Sequence, residues 1–400
     1  MKPRIAIFGA GPAGLFAAET AASQGAAVTV FDTMRLPGRK FLLAGRGGLN
    51  LTHAEPLADF LTRYREGASI LAPLLEAFPP EALRAWAHGL GQDTFVGSSN
   101  RVYPRVFKSS PLLRAWLARL ETLGVRFVGG AKLQVLKEGK ACARIGDREH
   151  WIDADAIVLA LGGASWPELG SDGAWTKLLG EDEVAPLQPS NAGVVIAWPD
   201  AIRALAGKPL KQIGVIVGQQ RFHGEAMLTE QGLEGGAIYL ANAAIRAQLR
   251  AGCGDLCIDF QPNLSADIVA ERITRRQTKR TLAPWLESAL GLSSPSARIV
   301  SVLTQADRSP AGLIRAVKRL PLKIEAMAAI TRAISTAGGV KWTALHPDLR
   351  LRSAASVFVA GEMIDWDAPT GGYLLQACFA TGFAAGQGAF NYARARLSEV

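Results

Sequence analysis

The chain has 400 residues, 49% of them hydrophobic and 20% charged, with a net charge of +9. That length can bury an enzyme-sized core in about two to three domains, and the composition excludes a small binding module, a disordered tail protein and a collagen-like fibre. The four cysteines, Cys142, Cys253, Cys257 and Cys378, form no CxxC pair and are too scattered for a disulfide framework, so a cytoplasmic location is expected.

The apolar run after Met1-Lys2-Pro3-Arg4 stops at Gly9, too short for the core of a signal peptide, and no export signal is expected. The opening reads as strand, turn, helix, strand. Residues 4–8 are apolar and β-branched, residues 9–14 are a glycine-rich turn, residues 15–24 an alanine-rich helix stopped by Gly25, and residues 27–31 a second strand ending at Asp32. Helical patterns follow at 57–64, 69–78 and 80–90, and again from Ser109, read as an N-cap, to Gly124. Short strands are then expected at 125–128, 132–137, 142–145 and 151–152, with a fully buried strand at 156–161. A parallel sheet with a small antiparallel crossover accommodates them.

From about Pro189 the texture changes. Strands at 193–197, 212–217, 225–229 and 256–260 suggest a separate β-rich unit, and residues 265–330 read as helical and basic. That segment holds eleven Lys/Arg against five acids, which supplies +6 of the net +9. Residues 357–361 again read as a buried parallel strand ending in glycine, so the last part of the chain returns to the first sheet. The expected division is 1–188 and 335–400 for one α/β domain, interrupted by a β-rich insertion at 189–264 and a basic helical subdomain at 265–334. The long uncharged stretch at 368–393 contains glycines, two glutamines and an asparagine, too polar for a membrane span.

The motif with chemical content is Gly9-x-Gly11-x-x-Gly14 between predicted strand and helix, with Asp32 18 residues after the last glycine. Gly9 makes the tight turn, Gly11 lets the backbone approach a pyrophosphate, and Gly14 lets helix and strand pack. Pro12 and Ala13 lie in the turn before the helix, whose N-terminal N–H groups favour a phosphate, and Asp32 can accept the hydroxyls of an adenosine ribose. This predicts a bound dinucleotide.

Which dinucleotide follows from a resemblance. Residues 38–52, GRKFLLAGRGGLNLT, resemble the GRKLLxxGGGRCNxT stretch of the bacterial BaiN-type and aminoacetone oxidase-like family of NAD(P)/FAD-dependent oxidoreductases. Residues 159–165 (LALGGAS), 224–229 (GEAMLT), 336–340 (TAGGV), and 361–373 (GEMIDWDAPTGGY) are similar to further motifs of that family. The resemblance implies a glutathione-reductase-type, Rossmann-like FAD-binding domain interrupted by a β-barrel-like and a helical unit. It also implies FAD contacts at Arg39, Lys40, Gly47, Asn50, Thr52, Leu133, Ala160, Gly162, Gly361, Glu362, Gly371, Gly372, Tyr373 and Leu374. Glu362 would lie near the ribityl and phosphate oxygens, and Gly371-Gly372-Tyr373 would open the last helix toward the flavin N1/O2 edge. Where the family has Arg-Cys-Asn, this chain has Gly48-Leu49-Asn50, with Arg46 displaced, so a thiol mechanism there is excluded.

No second GxGxxG follows a predicted strand and no CxxxxC pair follows the first βαβ, so a separate NAD(P)H domain and disulfide reduction are not expected. The flavin would be reduced directly, by NAD(P)H docking transiently or by the substrate itself. Hydride would then pass through flavin N5 to or from a small or medium hydrophobic molecule. The five histidines show no metal-ligand spacing, and no metal is expected. Proton donors or acceptors are sought at His53 and Tyr373, with Asp365 and Asp367 flanking the flavin-facing helix. Two other readings stand beside this one. Residues 265–330 form either a solvated face or an RNA-contact surface, and relatives in the family are linked to uridine reduction in ribosomal RNA. The third reading is a flavin-containing binding protein with little turnover.

Overall fold

The computed structural model describes residues 1–45, 47–275 and 281–398. Arg46 and residues 276–280, part of the basic stretch, lie outside the described residues. The chain divides into two compact units, Met1–Gln188 with Ser335–Val400, and Pro189–Ile334.

The first unit is built on β1 (Arg4–Phe8), α1 (Pro12–Ser23) and β2 (Ala27–Asp32). Ile5, Ile7, Val28 and Val30 are buried, as expected of strands covered on both faces. The sheet has five strands, in the order Val357–Val359, Ala156–Leu159, β1, β2, Arg126–Gly129, and every pairing is parallel. The C-terminal strand therefore does return to the first sheet. One face is covered by α1, which packs against the long helix Tyr373–Ser398. Gly382 and Gly386 make that approach possible: a Cβ on either would lie 2.4 Å from the Ala13 carbonyl oxygen or 2.6 Å from that of Ala17. Two three-stranded antiparallel sheets join it, Ala131–Lys137 with Lys140–Ile145 and Arg148–Ile152, and β3 (Thr52–His53) with Arg101–Pro104 and Thr94–Val96, and Val184–Ser190 pairs with Ser335–Val340. The helix expected to be capped by Ser109 runs Ser109–Thr122, with Lys108 at its N-cap and Ser109 buried as its first residue. Burial in place of a solvent-exposed cap explains the shift.

The second unit centres on a seven-stranded antiparallel sheet, in the order Leu320–Lys323, Asp255–Asp259, Pro209–Val217, Gln220–Thr229, Gly232–Glu234, Val194–Val195, Ala326–Met327. Four helices fall within the stretch expected to be helical: Ala266–Thr274, Leu282–Leu290, Ser294–Leu303 and Pro310–Arg319. Its end differs from expectation. Leu320 and Leu322 are buried while Pro321 and Lys323 are exposed, a period of two that makes a strand and closes the helices back onto the sheet. The fully buried Asp259 accepts from Arg221 at 2.8 Å and pairs with Lys318 at 2.9 Å, so one carboxylate ties strand to helix. Of the basic residues in this segment, Arg275, Arg315, Lys318 and Lys323 pair with Glu271, Asp307, Asp259 and Asp255. Among the described residues, no helix is long and apolar enough to cross a membrane.

Candidate functional site

The end of β1 makes the first half of the site. Gly9 has φ +105°, and a Cβ there would lie 2.1 Å from the Ala160 carbonyl oxygen, so only glycine turns the chain beside the neighbouring strand. Gly14 is equally confined: its Cβ would lie 1.9 Å from the Gly9 carbonyl oxygen. Gly11 is the opposite case. It is the N-cap of α1 in an extended conformation, and no atom lies within 4 Å of where its Cβ would stand. Pro12 follows as the first helical residue, and the first-turn N–H groups of Ala13 and Gly14 find no carbonyl within the helix.

This turn opens into a cleft lined by Gly9, Gly11, Pro12, Ala13, Asp32, Leu133, Ala160 and Gly162, with Lys40, Gly361 and Glu362 also in its wall. Asp32 is held at the cleft by two backbone bonds of 2.6 Å, from the N–H of Ala10 and from that of Met34. Burial pushes its carboxyl above the usual range, and the two N–H groups counter that only in part. Lys40, in α2 (Arg39–Ala44), donates to Glu362 Oε2 and to Ser165 Oγ, both at 2.7 Å. Glu362 Oε1 accepts from the Thr336 N–H at 2.9 Å. The two residues that the motifs assigned separately to phosphate and ribityl contacts thus form one ion pair, and the carboxylate is held on both oxygens.

One buried polar atom in this half, Ser171 Oγ, has no partner among the described residues. Ser171 also lines the cleft. An acceptor-free hydroxyl beside a glycine cradle and an open helix N-terminus is the donor set that a dinucleotide with a pyrophosphate requires, and the residues fit FAD on that ground.

The second half joins β3 to the start of the last helix. Gly372 has φ +95°, and a Cβ on it would lie 2.6 Å from the Thr52 backbone. Thr52 Oγ1 donates to Gln376 Oε1 at 2.8 Å, Gln376 Nε2 donates to the Phe78 carbonyl at 2.8 Å, and the Tyr64 hydroxyl donates to the Tyr373 carbonyl at 2.7 Å. The Tyr373 hydroxyl donates to Glu55 Oε1 at 2.6 Å. Glu55 is buried and is also gripped by Arg63, whose Nε and NH2 donate at 3.2 and 2.6 Å. Burial pushes the Glu55 carboxyl up, but the Arg63 and Tyr373 hydrogen bonds outweigh it and hold the group below its ordinary value. Burial and the adjoining carboxylate push the Tyr373 hydroxyl far up, so its proton stays on oxygen and points at Glu55. Tyr373 is therefore a tether for the helix start.

His53 stacks on the Tyr373 ring, centroids 5.2 Å apart. Its Nε2 lies 3.0 Å from the Ser99 carbonyl, which assigns the proton to Nε2, while Nδ1 is buried without a hydrogen bond, 3.7 Å from Glu55 Oε1. The remaining sequence candidates are dispersed. Arg39 and Gly47 are exposed outside the cleft wall, Leu374 is half-buried, and Gly371, at φ +130°, precedes the helix. Burial, and then Asp367 and Glu66, push the Asp365 carboxyl up.

Sequence reasoning missed Glu55, Arg63, Ser171 and Gln376. Ser171 had a legible signal, a Gly170-Ser171-Asp172-Gly173 turn whose two glycines have positive φ. Glu55 lies two residues after His53, but nothing local marks it as buried.

A family profile described as the HI0933-like protein Rossmann domain matches residues 3–388. The chain is 27% identical over 408 residues to a 3-dehydro-bile acid delta(4,6)-reductase of Clostridium scindens, spanning 96% of this chain and 98% of that one. It is 26% identical over 253 residues to a ribosomal RNA dihydrouridine synthase of Haemophilus influenzae, spanning 58% and 59% of the two chains. Among solved structures, the fold is similar to a 3-ketosteroid delta1-dehydrogenase of Sterolibacterium denitrificans in complex with 1,4-androstadiene-3,17-dione. There the TM-score is 0.52 at 14% identity, covering 98% and 99% of the two chains. With a dinucleotide cradle on a parallel sheet and a match along nearly its whole length, the chain belongs to the HI0933-like Rossmann family and is a flavin-dependent oxidoreductase.

Proposed function

We propose that this enzyme is reduced directly by NAD(P)H and passes the electrons to a small or medium hydrophobic substrate. The flavin at the centre of this reading rests on the cleft at the β1–α1 turn, where Gly11 is open, the helix N-terminus is free, and the Ser171 hydroxyl has no partner among the described residues. FAD, when bound, supplies hydride transfer through its N5. The chain's own residues hold and polarise it. The first turn of α1 receives the pyrophosphate, Asp32 the ribose hydroxyls, and Ser171 donates to an acceptor in the cleft. Thr52, Glu55 and Tyr64 hold the start of the last helix rigid, so that its N-terminal dipole favours negative charge at one place. His53, with a bare Nδ1, is the group beside that turn able to take up a proton. The bile-acid reductase relative supports a hydrophobic substrate.

The test is anaerobic mixing of the yellow protein with NADH and with NADPH while the visible flavin band is followed. Bleaching by one of them, followed by recovery of colour on adding a 3-keto-4-ene steroid, is the expected result. Failure of both nicotinamides to bleach the band would reject the donor, and failure of any hydrophobic acceptor to restore colour would reject the substrate class.

A further inference from the structure

The small sheet that carries His53 has an outer face that extends beyond His53 itself. His53 stands opposite Arg101 in register, and Phe95 opposite Tyr103. Directly opposed residues share a face, as do residues two apart on a strand, so His53, Arg101, Tyr103 and Phe95 share one face. The other face, with Thr52, Val102, Thr94 and Pro104, is buried. Phe107 packs on the outer face from the following turn, its ring edge-on to that of Phe95 at 5.1 Å and tilted against that of Tyr103 at 5.3 Å.

Three features separate this face from an ordinary surface. Phe107 is 48% exposed, and Val106 before it is exposed too. Its φ is +57°, a left-handed conformation that costs a bulky residue about 1–3 kcal/mol and persists where the surroundings impose it. Here the Pro104 carbonyl takes its N–H and its own carbonyl takes the Leu49 N–H, at 2.8 and 3.0 Å. Arg101, Arg105 and Lys108 are exposed and make no side-chain ion pair among the described residues. The face also adjoins the flavin-side residues at both ends: a Cβ on Gly48 would lie 3.1 Å from the Phe107 ring, and His53 stacks on Tyr373.

We propose that this face is where the reduced nicotinamide dinucleotide docks, its rings stacking on Phe95, Tyr103 and Phe107 and its phosphates pairing with Arg101, Arg105 and Lys108. The inference rests on the reading that NAD(P)H is the electron donor. The chemistry of the face selects that occupant. Three aromatic rings offer stacking to a planar π system, and three uncompensated cations call for anionic oxygens, which a neutral hydrophobic substrate lacks. A dinucleotide supplies both in one molecule.

The experiment uses holoprotein with full flavin content. Arg105→Ala removes an exposed cation, and Phe107→Gly removes the ring at a position whose backbone suits glycine, so both variants fold. Binding of NADP+ and NAD+ is measured by calorimetry, and bleaching by NADPH and NADH by stopped flow, with dithionite reduction as the control. Each variant should raise Kd for the preferred nicotinamide about tenfold while dithionite reduction is unchanged, and added salt should weaken wild-type binding. If the wild type is bleached and both variants match it, the donor reading stands and this surface assignment falls. If neither nicotinamide binds or bleaches the wild type, both fall together. If a single-stranded oligouridylate loses affinity in the variants while nicotinamide binding stays at the wild-type value, the face belongs to RNA and the proposal is overturned.

Discussion

Gly11 and Gly14 stand three residues apart in one turn, and the structure predicts opposite consequences for the same substitution at each. A Cβ on Gly14 would lie 1.9 Å from the Gly9 carbonyl oxygen, against an ordinary contact of 3.4 Å or more, so α1 would have to move by roughly 1.5 Å. It cannot move away, because Gly382 and Gly386 of the last helix already pack against the Ala13 and Ala17 carbonyls on its other side. Overpacking of this kind costs about 1–3 kcal/mol, and at about 2–4 °C per kcal/mol for a unit of this size Gly14→Ala should lower Tm by roughly 2–12 °C. Gly11→Ala meets no atom within 4 Å and has φ −83°, which alanine adopts freely. Reduced freedom of the unfolded chain should make the flavin-free protein more stable by about 0.4–1 kcal/mol. The new methyl group enters the space assigned to the pyrophosphate, and loss of one charge-assisted hydrogen bond, about 1.5–3 kcal/mol, weakens FAD binding by roughly 10–150-fold. Thermal unfolding of the flavin-free proteins and fluorescence titration with FAD separate the two effects. Wild-type FAD affinity in Gly11→Ala, or wild-type stability in Gly14→Ala, would refute the division of labour within the turn.

Three further outcomes follow from the site. Lys40→Ala leaves the buried Glu362 carboxylate without its cation, and breaking such a pair costs about 3–5 kcal/mol. Adding Glu362→Gln should restore part of the loss in a denaturant titration; additive losses would show that the pair does not act as a unit. The Glu55 carboxyl is held below its ordinary value of 4.5, so its contribution is present above that value and is lost as the pH falls through the lower folded-state value. Glu55→Gln should therefore lower Tm at pH 7, with the gap to wild type closing as the pH falls below 4.5 and through the lower folded-state value; a gap independent of pH would refute the charge argument. Burial pushes the Cys378 thiol up to about 12, while Cys253 is exposed. Mass spectrometry after brief iodoacetamide treatment of the native protein at pH 8 should find Cys253 modified and Cys378 intact; modification of Cys378 would show the cleft wall opening.

The features that the sequence alone determined are those written in a few consecutive residues. The β1–α1–β2 opening, the glycine spacing and the acidic end of β2 are legible because turn geometry and side-chain period are local properties of the chain. The return of the C-terminal strand was legible for a related reason, since residues 357–359 can be satisfied only inside a sheet covered on both faces. Only the tertiary structure decided the pairings. Lys40 and Glu362 are 322 positions apart and Tyr373 and Glu55 are 318 apart, and no local pattern shows that Glu362 meets a cation or that Glu55 accepts a tyrosine hydroxyl. The same separation hid the partner of the Tyr373 hydroxyl, a buried carboxylate from a distant part of the chain. The outer face of the small sheet was hidden likewise, because Phe95, Tyr103 and Phe107 form a surface only once strand register and a left-handed turn bring their rings together. Desolvation and long-range register act between segments, and it is there that the chemistry of this site was decided.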